Sequence, residues 1–187
     1  MPADRVDGVA WREVVEVSGG VSAVRRDQVA EEVPLAIHCN GEPLAVMMVS
    51  PCDLEDFAHG FALTELGLGS ADLVSMVLQS LLEGIRLDLR TRDPLPARAV
   101  DPQRWLPGRS GCGICGHRHL EDVVRQPAAV GQGSAIASSA LEVALRQIEQ
   151  RQPLNAATGA LRAAAWARVG GSLVLVRAAV GRPHALD

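Results

Sequence analysis

Residues 33 to 49, "VPLAIHCNGEPLAVMMV", place two apolar runs on either side of Asn40 and Gly41. That dipeptide tolerates the positive φ angles of a tight hairpin turn, so the stretch predicts two antiparallel strands. The next residues, "SPCDLEDFAHGFALTELG", offer Ser50 as helix N-cap, Pro51 at the first helical position, acids in the first turns and Gly67 as terminator. Leu54, Phe57, Ala58 and Phe61 share one face of that helix. From 74 to 91, "VSMVLQ" and "GIRLDLRT" alternate with period two around a turn near Glu83 and Gly84, which predicts a second strand pair. Hairpin, helix, hairpin describes a compact α+β roll resembling a β-grasp arrangement.

The pattern then dissolves. Residues 93 to 111 carry four prolines and no sustained period, and read as a connection pinned to the body by Trp105. Downstream, a short helix is expected at 118 to 125, and "SALEVALRQIEQRQ" predicts a longer one with Ser139 and Glu142 in capping-box spacing. A third helix is expected near 160 to 168, and the β-branched "SLVLVRAAV" predicts a strand. Two units follow, 1–108 and 109–187, the second with three helices and a single clear strand.

Composition narrows the chemistry. All 18 basic side chains are arginine, and there is neither lysine nor tyrosine, so a lysine Schiff base, a phosphate-loop lysine and a tyrosine acid are excluded. Titratable chemistry near neutral pH falls to four cysteines, five histidines or perturbed carboxylates. A net charge of -4 gives no broad attraction to nucleic acid or an anionic membrane, so an anionic ligand needs local arginines. No apolar run reaches the roughly 18 residues of a membrane span, and "MPADRVDGVAW" lacks a basic flank followed by an apolar stretch. The expected compartment is the cytoplasm, where thiols stay reduced. Cys39 at a strand end and Cys52 in the first helical turn are expected to be structural.

The other two thiols lie in "GCGICGHRH", residues 111 to 119. Cys112 and Cys115 have the spacing of one zinc knuckle, and His117 and His119 add two nitrogens, but a tetrahedron closed within so short a segment is strained. A zinc deaminase needs its histidine and glutamate before the thiols and a proline preceding them; here His119 and Glu121 follow, and Gly111 replaces the proline. A thioredoxin-like dithiol needs a helix to start at the first cysteine, whereas Gly111, Gly113 and Gly116 favour a loop. The favoured reading is a nucleophilic or persulfide-carrying cysteine, with Arg109, His117 or Arg118 favouring its thiolate and the second thiol exchanging with the first. A zinc-binding structural domain remains an alternative.

The cysteine loop resembles that of the formate dehydrogenase accessory sulfurtransferases, the FdhD family. "PLAIHCNGEPLAVMMVSPCDLEDFAHGFALTELG", "TGALRAAAW" and "VRAAVGRPHALD" agree with it in order, over about residues 30 to 187. The resemblance implies a β-grasp-like first unit and a cytidine-deaminase-like second unit with a mixed sheet, here incomplete at its C-terminal end. It further implies that a cysteine desulfurase loads a persulfide on Cys112, assisted by Cys115. The sulfur then passes to a molybdenum bis(guanine dinucleotide) cofactor, bound as substrate, before that cofactor enters formate dehydrogenase. Thr158, Gly159, Arg177, Gly181 and Arg182 become the implied cofactor-binding positions, no permanent metal is expected, and a homodimer is; the alternative beside this reading is a non-catalytic module that binds or delivers a guanine nucleotide or molybdenum cofactor. The chain departs from the family pattern where Ala160 and Arg162 replace glycine and histidine, and where Ala178, Ala179, Pro183 and His184 replace polar residues.

Overall fold

The computed structural model describes residues 8–95 and 129–186. Eight strands and four short helices make an α+β fold with three sheets among those residues. Strands β1 (Val9–Ser18) and β2 (Val21–Ala30) form an antiparallel ribbon. Gly19 and Gly20, at φ 58° and 82°, supply its two-residue turn.

The central sheet has the order β4-β3-β6-β5, built from β3 (Val33–Cys39), β4 (Glu42–Val49), β5 (Leu73–Ser80) and β6 (Ile85–Thr91). Neighbours β3 and β6 are parallel, and the outer pairs are antiparallel. Both expected hairpins are present. Asn40 and Gly41 turn the first, at φ 53° and 93°. Its ladder skips one residue, since Ile37 pairs with Ala45 and His38 with Pro43. This bulge accommodates Leu44, which is buried, and Pro43 is tolerated because β4 is an edge strand.

Helix α1 (Leu54–Phe61), continued by a π-helical turn Ala62–Leu66, lies between β4 and β5 in the chain. Phe57, Ala58 and Phe61 are buried as the apolar spacing predicts, and pack with Leu35, Ile37, Cys39, Leu87 and Leu89 from the central strands. Gly67 ends the helical segment at φ 70°. The start differs from the expectation: Asp53, in the left-handed region at φ 51°, precedes the first helical residue, Leu54. Ser50 lies upstream, Pro51 begins the bend that follows it, and Cys52 sits in that bend instead of in the first turn. The physical reason is tertiary: the buried Ser50 hydroxyl accepts a hydrogen bond from Val180 N–H at 3.1 Å, which holds it away from a capping role.

In the second half, α2 (Ser138–Gln150) and α3 (Pro153–Thr158) precede a hairpin of β7 (Arg162–Ala167) and β8 (Leu173–Ala179), followed by α4 (Arg182–Leu186). The expected helix at 160 to 168 is a strand. Gly159, at φ 66°, terminates α3, and the alanine-rich segment beyond it pairs with β8, so tertiary pairing overrides alanine's helical preference. The Ser139 capping box is also absent, because α2 begins at Ser138 with Ala137 as N-cap and no side-chain cap. Gln147 ties α2 to the hairpin instead: its amide donates to Gly171 O at 3.0 Å and accepts from Leu173 N–H at 3.3 Å. The β1–β2 ribbon has no counterpart among the expected elements, although Gly19-Gly20 between valine-rich runs is a legible hairpin signal. Trp105, the 108/109 boundary and the helix expected at 118 to 125 lie outside the described residues.

Candidate functional site

Cys112 and Cys115, with Arg109, His117 and His119, lie outside the described residues. The remaining candidates fall in two places. Arg177 lies near the end of β8, where the second half meets the β4–α1 turn; Gly181 follows two residues past that strand, and Arg182 opens α4. Thr158 and Gly159 close α3: the Thr158 hydroxyl donates to Leu154 O at 2.8 Å and accepts from Ala160 N–H at 3.4 Å. They do not line the cleft that Arg177 lines.

That cleft, about 20 Å³ in volume, has Ser50, Cys52, Asp53, Asp56, Arg177 and His184 among its lining residues. It has space for about one water molecule, so a nucleotide base does not fit inside it. Arg177 pairs with Asp56 and lies 3.7 Å from Asp53. Its guanidinium also donates to Val176 O at 2.9 Å. The Cys52 thiol points at Ala178 O at 3.9 Å, and the Phe57 and His184 rings meet edge to face at 5.5 Å. These contacts join residues 50–57 to 177–184, and Ser50 adds its bond to Val180. Asp53, Asp56 and Ser50 were legible only as helix-start residues; their pairing across the chain depends on tertiary structure.

Gly181 has a steric reason to be glycine, since a side chain there meets His184 Nδ1 at 2.8 Å. Cys39 is almost fully buried, and that burial raises its thiol pKa despite a hydrogen bond involving Thr91, so it keeps its proton at neutral pH and supplies no nucleophile. No group of three histidine, cysteine or carboxylate side chains able to hold a metal occurs among the described residues. No helix among them is long and apolar enough to cross a membrane.

Residues 30–187 match the model of the FdhD/NarQ family. The chain belongs to that family. The sulfur carrier protein FdhD of Xanthomonas euvesicatoria is 46% identical over 182 residues, an alignment covering 96% of this chain and 64% of the relative. The protein of the same description from Bordetella bronchiseptica is 42% identical over 189 residues, covering 99% of this chain and 68% of that one. The present FdhD/NarQ chain thus spans about 64% of the length of the Xanthomonas relative. Its fold is similar to the crystal structure of a chain from Desulfotalea psychrophila assigned as a formate dehydrogenase accessory protein. There the TM-score is 0.65 at 18% identity, covering 95% of this chain and 65% of the other.

Proposed function

We propose that this FdhD/NarQ member is an accessory sulfurtransferase: Cys112 takes a sulfur atom from a cysteine desulfurase and passes it to a molybdenum bis(guanine dinucleotide) cofactor destined for formate dehydrogenase. The observation that carries the reading is the pair of thiols set among glycines in a chain whose curated relatives are named sulfur carrier proteins. The Cys112 thiolate attacks the outer sulfur of the desulfurase persulfide; the old S–S bond breaks, and the desulfurase leaves as a thiolate. Cys112 then holds the persulfide. Attack by the Cys115 thiolate on the outer sulfur relays that persulfide, whereas attack on the inner sulfur expels hydrosulfide and leaves a Cys112–Cys115 disulfide.

The β-grasp-like description of the first unit is supported by the order β4-β3-β6-β5, with β3 parallel to β6 and α1 inserted between the two hairpins. The cytidine-deaminase-like second unit, the boundary at 108/109, the cytoplasmic setting and the homodimer complete the proposal. Cofactor contacts are assigned to Thr158, Gly159, Arg177, Gly181 and Arg182, with the cofactor as cargo. Arg177 reaches an anionic group of that cargo by exchanging Asp56 for it, because its guanidinium is already paired.

Incubation with a working desulfurase and cysteine, followed by intact mass measurement, tests the reading. Added sulfur on the wild type and none on Cys112→Ala is the expected result; unchanged mass on the wild type contradicts it. If Cys112→Ala still binds guanosine diphosphate as the wild type does while neither takes up sulfur, the protein is a binding module instead. One equivalent of zinc in the purified protein identifies a structural metal domain.

A further inference from the structure

The β1–β2 ribbon contains the longest strands of the described fold, and all residues of its outer half but the half-buried Val14 are exposed. Val15, Val17, Val21 and Val24 are each about two-thirds exposed. A two-stranded ribbon is marginal in water unless something covers it. Helix α3 packs against β2, whereas no strand but β2 pairs with β1 among the described residues. Among the described residues β1 is thus the edge strand with the less cover.

The chemistry of that edge selects its occupant. The two-residue turn makes Ser18–Val21 a hydrogen-bonded pair, so even-numbered residues of β1 bond inward to β2. The bond from Glu31 N–H to Gly8 O, 2.9 Å, keeps the same phase at the ribbon's base. The N–H and C=O groups of Trp11, Glu13, Val15 and Val17 consequently face outward, with the Trp11 carbonyl accepting a hydrogen bond from the Arg12 guanidinium at 3.1 Å. We propose that this edge receives β1 of a second copy, antiparallel, about a two-fold axis through Val14, giving a continuous sheet β2-β1-β1-β2. This deepens the homodimer element of the function proposed above, and adds the surface and its register.

In that register the outward groups of Trp11 bond those of the partner's Val17, and Glu13 those of the partner's Val15. Between them Arg12 faces the partner's Glu16, which shares its carboxylate with Arg25 of its own ribbon at 3.3 Å, and Val14 faces the partner's Val14. The two side chains of each pair share a face, Trp11–Val17 and Glu13–Val15 on one and Arg12–Glu16 and Val14–Val14 on the other, as side-chain alternation requires. Opposite charges and an aromatic–β-branched pair are the combinations that stabilise neighbouring strands. Arg26, stacked 5.5 Å over Trp11, holds that ring in place on the face where the partner's Val17 arrives. The same operation at the middle of β2 sets Arg25 or Arg26 against its own copy, which disfavours that edge. The ribbon carries Arg12, Arg25 and Arg26 against Glu13, Glu16 and Asp27, a balance that suits self-association better than a strongly charged partner.

Sedimentation of the full chain over a concentration series tests the edge. The wild type is expected to dimerise; Arg12→Glu or Glu16→Arg should each raise the dissociation constant about tenfold or more, and the double exchange should restore it. Because Arg12 also faces Asp27 and Glu16 pairs with Arg25 within the ribbon, each variant is checked by thermal melting, and a second readout avoids charge altogether. A Val14→Cys substitution sets two thiols across the axis at a Cα separation of about 4.5 Å, the spacing of a non-hydrogen-bonded pair, and mild oxidation should join the two chains there. Peptide mapping against the oxidised wild type separates this link from those of the native cysteines. A monomer throughout, or a dimer that ignores the charge exchange and gives no link at position 14, overturns the proposal. Sulfur uptake by Cys112 is measured independently, so either idea can fail without the other.

Discussion

Gly84 lies in the turn before β6, where a Cβ would collide with the carbonyl oxygen of Pro34 on β3. Gly84→Ala should therefore destabilise the fold by about 1–3 kcal/mol, read as a shift in the denaturation midpoint without loss of cooperativity. Asp88 provides a pH test. Its hydrogen-bonded partner Arg86, at 2.8 Å, is the largest influence holding its carboxyl below the ordinary 3.8, and their charge attraction acts in the same direction. A depressed carboxylate contributes stability above its unfolded pKa and loses it as pH falls through the lower folded value. Asp88→Asn should thus melt slightly below the wild type at neutral pH, with the gap closing under acid conditions below 3.8. A gap that persists or widens in acid contradicts this assignment.

Elements were legible in the sequence where local chemistry agreed with the fold. Asn40-Gly41 and Gly84 marked the two central hairpins, and the spacing of Leu54, Phe57, Ala58 and Phe61 marked the buried face of α1. Removing that face should cost heavily: Phe61→Ala is expected to lower stability by about 3–5 kcal/mol in denaturant titration, because the ring is buried against Phe57 and the sheet. Elements were misread where a distant partner decides. The segment "RAAAWA" carries a helical composition but becomes β7 through its ladder to β8. Ser50 has the chemistry of a cap, yet its hydroxyl serves Val180 on the far side of the chain. For the candidate site the sequence named Arg177 but not its carboxylate partners, since only tertiary structure brings Asp53 and Asp56 to it.

At the scale of the whole molecule, residues 50–57 and 177–184 hold the central sheet against the β7–β8 hairpin. Ser50→Ala leaves the Val180 N–H without its acceptor and should cost about 1–3 kcal/mol. Faster hydrogen exchange at residues 177 to 180 than in β3 would show that the loss is local to this junction; uniform acceleration would not. The sulfur chemistry rests on a different part of the chain. Its most direct measurement is to load the protein from a desulfurase, trap persulfides by alkylation and locate the extra sulfur among the four cysteines by peptide mass. The prediction is sulfur on Cys112, with relay to Cys115 and none on the buried Cys39. Sulfur confined to Cys39 or Cys52, or absent from all four while the desulfurase turns over, contradicts the account.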